Sequence, residues 1–239
     1  MSSQLHYVPI LPNTIKPLTY LDNPMIKAAV DRLDSLHHEF DVGRAILSIL
    51  RTHFPLEENW VIVPEFLVPE RKKPDYCIEQ YISNRPHLSI QEQFRPKIFV
   101  EIKSRTGDDT EHALDQATSS LVKTVDTLGN DFSCFLIVVK GKSIGFFEYH
   151  NDRSDLMEDG VRHHYGAISF NDPQEPATDG RPHYRGVGKV TYQDEYTEVR
   201  LRDQENVFLD LGVHDVVVSQ VLDWMKNNSP LENPRGRST

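Results

Sequence analysis

Lys97-Ile98-Phe99-Val100-Glu101-Ile102-Lys103 is the stretch on which the fold turns. Successive side chains of a β-strand point to opposite faces. Ile98, Val100 and Ile102 therefore share one face, and Phe99, Glu101 and Lys103 share the other. A carboxylate and an ammonium group two residues apart on a strand point the same way. Upstream, Pro74-Asp75 opens another strand, Asp75-Tyr76-Cys77-Ile78. Trp60-Val61-Ile62-Val63 and Glu65-Phe66-Leu67-Val68 carry a strand signal before it, and residues 69–74 read as a charged turn, so the two segments form a hairpin candidate. Residues 83–96 are polar, contain two prolines, and read as a loop between strands.

Outward from this centre the pattern becomes helical. From Pro24 to Phe54, Ile26, Val30, Leu33, Leu36, Phe40, Val42, Ile46 and Leu50 recur at helical spacing. They predict one long helix, or two broken near Gly43, ended by Pro55. Residues 110–128 predict another, with Ala113, Leu114, Ala117, Leu121, Val122 and Val125 as its apolar stripe and Asp108, Asp109 or Thr110 as its cap. The apolar run Phe132–Val139 is that of a strand covered on both faces. Residues 140–142 form a tight turn and 143–149 the next strand. The order helix, hairpin, strand, helix, strand, strand predicts an α/β fold, a mixed central β-sheet flanked by helices.

Beyond residue 150 the pattern weakens. Residues 151–160 and 171–181 are polar inserts, with short strand candidates at 164–170, 188–193 and 198–201. Residues 207–211 lead into a last amphipathic helix, 214–226, carrying Val217, Val221, Leu222 and Met225. The expected organisation is an irregular arm (1–23), a core (24–150), a C-terminal β/α extension packed on that core (151–226) and a mobile tail (227–239).

Composition narrows the function. With 239 residues the chain suits one large domain, or a domain with an added lobe. It has no run near the ~20 apolar residues that a membrane span needs, and the basic region and apolar run of a secretory signal are absent from its first 20 residues. Cys77 and Cys134 lie in apolar segments and read as buried thiols of a reducing, intracellular compartment, cytoplasm or nucleus. The chain lacks Cys-x-x-Cys, His-x-x-x-His, Gly-x-Ser-x-Gly and a phosphate-binding glycine loop, which argues against structural zinc and several hydrolase classes. A net charge of −10 opposes avid nonspecific nucleic-acid binding. Yet Arg71-Lys72-Lys73 precede Pro74-Asp75, and Arg95, Lys97, Lys103 and Arg105 flank the second motif. These are either ordinary solvated charges or a local strip that guides a polyanion. Two carboxylates with a lysine beside them suit a hard divalent cation and phosphodiester hydrolysis.

Pro74-Asp75, 25 intervening residues and then Glu101-Ile102-Lys103 resemble the motif of the PD-(D/E)xK nuclease superfamily, which includes restriction endonucleases, junction resolvases, phage exonucleases and viral cap-snatching endonucleases. The resemblance spans roughly residues 36–149. It implies a restriction-endonuclease-like core and a metal-dependent nuclease acting on DNA or RNA. Asp75 and Glu101 would bind Mg²⁺ or Mn²⁺ with the backbone carbonyl of Ile102, and Lys103 would position or help deprotonate the attacking water. The family often adds an acid from the first helix, for which Glu39 is the first choice and Asp41 the second. Glu65 on the hairpin and Gln116 on the following helix match positions that line the site in some members. A helix histidine binds metal in the cap-snatching branch. His37 and His38 lie about 100° apart on a helix, so at most one faces the site. The other implied reading is a nuclease-fold binding or effector module with little activity. The acidic surface leaves room for a homodimer or a protein partner that delivers the nucleic acid.

Overall fold

The computed structural model describes residues 4–7, 19–35, 38–64, 74–82, 93–107, 133–157, 160–170, 173–174, 183–184, 187–194 and 208–229. Three helices are described: α1 (Pro24–Arg32), α2 (Glu39–His53) and α3 (Asp215–Asn227). The strands are β1 (Gln4–Tyr7), β2 (Trp60–Pro64), β3 (Tyr76–Tyr81), β4 (Phe94–Lys103), β5 (Ser133–Lys140), β6 (Ser143–Met157), β7 (Gly160–Phe170), β8 (Pro173–Gln174), β9 (His183–Tyr184), β10 (Val187–Asp194) and β11 (Phe208–Asp210). The sheet runs β1-β10-β7-β6-β5-β4-β3-β2, with β11 paired to β6; β8 and β9 pair apart from it.

The sheet is mixed because β4 and β5 run parallel while their outer neighbours run antiparallel. The hairpin expected around residues 60–78 is the β2–β3 pair, in register at Val63↔Cys77. Ile78, Ile98, Val100, Ile102, Phe135, Ile137 and Val139 form one sheet face and join the buried stripes of all three helices in one core. Alternate residues Cys77, Phe99, Cys134, Leu136 and Val138 are equally buried on the opposite face. The continuous apolar run of β5 reflects this double burial, since neither face is left to polar residues.

Two helices stand where one long helix was the first expectation; α1 ends at Arg32 and α2 starts at Glu39, and Gly43 breaks neither. Asn23 caps α1, its side chain accepting the Met25 N–H at 2.9 Å, and Pro24 occupies the first turn, where a missing N–H costs nothing. Helix α2 buries Val42, Ala45, Ile46, Ile49 and Leu50, a continuous stripe along one side. Gly43 lies inside it as a contact point. A Cβ there would sit 3.3 Å from the Tyr76 hydroxyl and 3.9 Å from Ile102 Cδ1, so the hydrogen side chain lets α2 settle against β3 and β4.

Other elements also differ from expectation. Gln4–Tyr7 pairs with β10 inside the stretch read as an irregular arm, and β4 begins at Phe94, inside the expected loop. Strand β6 continues to Met157 through residues read as a polar insert. Cross-strand pairing with β7 outweighs their polarity. The expected strands at 65–68 and 198–201, the helix at 110–128 and the C-terminal tail beyond 229 lie outside the described residues.

The outer edge of β6 is shared. Its first residues pair with β11, through Gly145↔Phe208 and Ser143↔Asp210, and its later ones with β7. A Cβ on Gly145 would lie 2.6 Å from Phe208 Cε1 and 3.0 Å from Phe147 Cε2. Gly145→Ala is therefore expected to destabilise the fold by about 1–3 kcal/mol through overpacking. A urea midpoint equal to that of the natural protein would refute this.

Candidate active site

Pro74 is buried, and proline has no N–H to extend a ladder, so β3 starts two residues later and Asp75 stands at its mouth. The β3–β4 register is Tyr76↔Val100. Continuing that register one step would set Asp75 opposite Glu101, and the Asp75 charge does act on Glu101. Asp75 Oδ2 accepts the Ile102 N–H at 2.6 Å, which fixes the carboxylate against β4. On β4, Lys103 Nζ donates to Glu101 Oε1 at 2.9 Å, as expected of side chains that share a face. Ile102 turns its own side chain into the helix-covered core.

Glu101 is 5% exposed, and its buried Oε2 has no hydrogen-bond partner among the described residues. Burial pushes its carboxyl up to about 7; the Lys103 hydrogen bond pulls the other way, and the negative charges of Asp75 and Glu39 add to the rise. For Lys103, burial acts to lower the ammonium's pKa. The Glu101 hydrogen bond and the charges of Glu101, Glu39 and Asp75 together outweigh it, so the pKa is raised. Lys103 is therefore a firm cation at neutral pH. The Tyr76 hydroxyl is also pushed up, by burial and then by the Asp75 charge.

Glu39 opens α2 and is solvent-exposed, yet its charge reaches both Glu101 and Lys103. The close seat of α2 at Gly43 brings its N-terminus over this end of the sheet. Asp41 lies in the same first turn, half-buried, and does not contribute to either shift. An exposed His38 precedes α2 as its N-cap residue, while His53 sits at the far end, its Nδ1 2.9 Å from Asp223 Oδ1. Glu65, Gln116, His37 and the Arg71-Lys72-Lys73 run lie outside the described residues. Lys97 does not belong to a basic strip at the site. Its Nζ is 5.6 Å from the Trp60 ring centroid and 3.4 Å from the Asn228 carbonyl, and burial lowers its pKa.

One neighbour escaped the sequence reading. The parallel register pairs Glu101 with Val138 and Lys103 with Lys140, so Lys140 shares the face of the acidic pair. Its signal was present: two apolar runs each end in lysine, and laying parallel strands end to end sets the lysines side by side.

Among the described residues no three His, Cys, Asp or Glu side chains cluster closely enough to hold a metal ion. The Asp75–Glu101 pair remains, and Mg²⁺ needs only one or two carboxylates beside water and phosphate. The unpartnered Glu101 Oε2 is the kind of buried atom that a cation would satisfy. No family model, curated protein or solved structure matches the chain. Among the described residues no helix is long and apolar enough to cross a membrane.

Proposed function

We propose that the chain is a divalent-metal-dependent nuclease with a restriction-endonuclease-like core, hydrolysing phosphodiester bonds of DNA or RNA. The reading is supported above all by Asp75 and Glu101 on adjoining segments of the sheet, with the Lys103 ammonium bonded to Glu101 and one Glu101 oxygen lacking a partner among the described residues. Asp75 and Glu101 would hold Mg²⁺ or Mn²⁺, and Glu39 lies close enough to add its charge. Such an ion supplies Lewis acidity toward a phosphoryl oxygen and a more acidic water.

The chain's own groups divide the remaining work. Lys103 is charged and fixed by Glu101, so it donates hydrogen bonds to a water or a phosphate oxygen and does not act as a base. This narrows the family-based role, which allowed it to help deprotonate water. Asp75 bonds backbone, and that bond sets its orientation before any ligand arrives. Glu101, titrating at about 7, exchanges a proton near neutral pH.

The deciding experiment incubates the protein with labelled DNA and RNA in Mg²⁺ or Mn²⁺, with EDTA as control. Metal-dependent cleavage of either polymer is expected, and none of either would sink the reading. Lys103→Ala is expected to slow cleavage by about 100-fold or more, the cost of losing one donor to developing charge, with Mn²⁺ affinity changed only a few-fold. A large loss of affinity at an unchanged rate would contradict the donor role. A second reading, a binding module on the nuclease fold, draws support from the net charge of −10. It predicts Mn²⁺ binding or nucleic-acid binding without cleavage.

A further inference from the structure

Lys140 ends β5 beside Lys103, in a parallel register that keeps both side chains on one face. Neighbouring strands lie about 4.8 Å apart, and like charges set side by side across strands are destabilising. The backbone fixes the arrangement. Gly141, at φ 57°, folds the turn back so that its N–H donates to the Lys103 carbonyl at 3.1 Å. A Cβ on Gly141 would meet Arg105 Cβ at 3.1 Å, so the turn is clamped on the end of β4.

The surrounding cations are occupied. Lys103 bonds Glu101, Lys142 pairs with Asp34 at 2.6 Å, and Arg105 donates to the Asp34 carbonyl at 3.0 Å. Among the described residues no acceptor or carboxylate takes the Lys140 ammonium. A half-buried lysine without a partner among the described residues is thus aligned with the site lysine and fixed by a tight turn. An anion lying between the two would replace repulsion with two charge-assisted hydrogen bonds.

We infer that Lys140 and Lys103 together seat a backbone phosphate of the nucleic acid, next to the Asp75–Glu101 pair; the inference rests on the proposed nuclease reading. Lys140 is then a substrate-binding residue and contributes to affinity more than to the chemical step. Because it reads charge and not base edges, its loss weakens DNA and RNA of any sequence alike.

The test measures binding of a labelled DNA oligonucleotide and its RNA counterpart by fluorescence anisotropy in EDTA, across a salt series. Lys140→Gln is expected to weaken binding about five- to tenfold and to reduce the salt slope by about 1. Lys140→Arg should recover most of the loss. Lys142→Gln, whose lysine is paired with Asp34, should change Kd by less than about twofold. Thermal melts of each variant report folding separately. Unchanged affinity and slope for Lys140→Gln, equal losses for the Lys142 variant, or no binding of either polymer by the natural protein would each overturn the inference. Cleavage by the natural protein with no dependence on Lys140 would overturn the phosphate seat and leave the nuclease reading standing. Lys140-dependent binding without metal-dependent cleavage would do the reverse.

Discussion

Glu101→Gln is expected to lower metal-dependent cleavage by more than about 100-fold while the protein stays folded. Loss of groups that merely orient a metal ligand costs about 10- to 100-fold, so removing the charge of the proposed ligand itself should cost more. Glutamine keeps an oxygen to accept the Lys103 ammonium and places an amide where the unpartnered Oε2 lies. Asp75→Asn should have a similar effect on cleavage, because asparagine still offers an oxygen to the Ile102 N–H. Asp75→Ala is the poorer variant. It leaves that amide without its acceptor, at a cost of about 1–3 kcal/mol, and so mixes folding with chemistry. Single-turnover assays in Mn²⁺, beside urea unfolding in EDTA, separate the two effects. Cleavage at the natural rate by either isosteric variant would remove the pair from the chemistry.

The second large effect is on stability. The Glu101 carboxyl titrates at about 7 in the folded chain, against an ordinary value of 4.5. Below pH 4.5 the group is protonated in both states and contributes nothing. Between the two values the folded state keeps a proton that the unfolded state has released, so stability falls as pH rises and the loss is complete above about 7. The interval of 7 minus 4.5, at 1.36 kcal/mol per tenfold, corresponds to about 3 kcal/mol. In EDTA, Glu101→Gln should therefore be more stable than the natural protein by roughly this amount at pH 8, and by only about 1 kcal/mol at pH 5. Mn²⁺ at a hundredfold excess over Kd should add about 2.7 kcal/mol to the natural protein at pH 8 and far less to the variant. An equal stability difference at both pH values would refute this account.

The centre of the sheet was legible because alternation leaves little freedom. Glu101 and Lys103 had to share a face, and the hairpin had to bring Asp75 toward them. The helix break was harder to place. Gly43 looked like a breaker by its low helix propensity, but its small size serves a close approach to Tyr76 and Ile102, a tertiary demand that propensity does not report. The length of β6 was hidden because residues 151–155 are polar, while pairing with β7 at Asn151, Asp152 and Met157 carries the strand on. Lys140 was read as part of a turn because parallel register joins residues 37 positions apart. The weight of Glu39 was visible only as a choice among first-turn acids until α2 was placed over the sheet.

The last described segment closes on the one that begins at Thr19. Thr19 Oγ1 donates to the buried Asp215 at 2.6 Å, the Tyr20 hydroxyl reaches the Leu211 carbonyl at 2.8 Å, and α3 lays Val217, Val218, Val221, Leu222 and Met225 into the core shared by α1, α2 and the sheet. On the ribosome, β2 to β6 emerge well before this helix does. The sheet face that α1 and α2 share with α3 must then stay partly uncovered until residues 215–227 leave the exit tunnel. The core beneath the carboxylate pair is thus closed only once α3 has docked, and a chain cut short before residue 208 would carry the motif without that support.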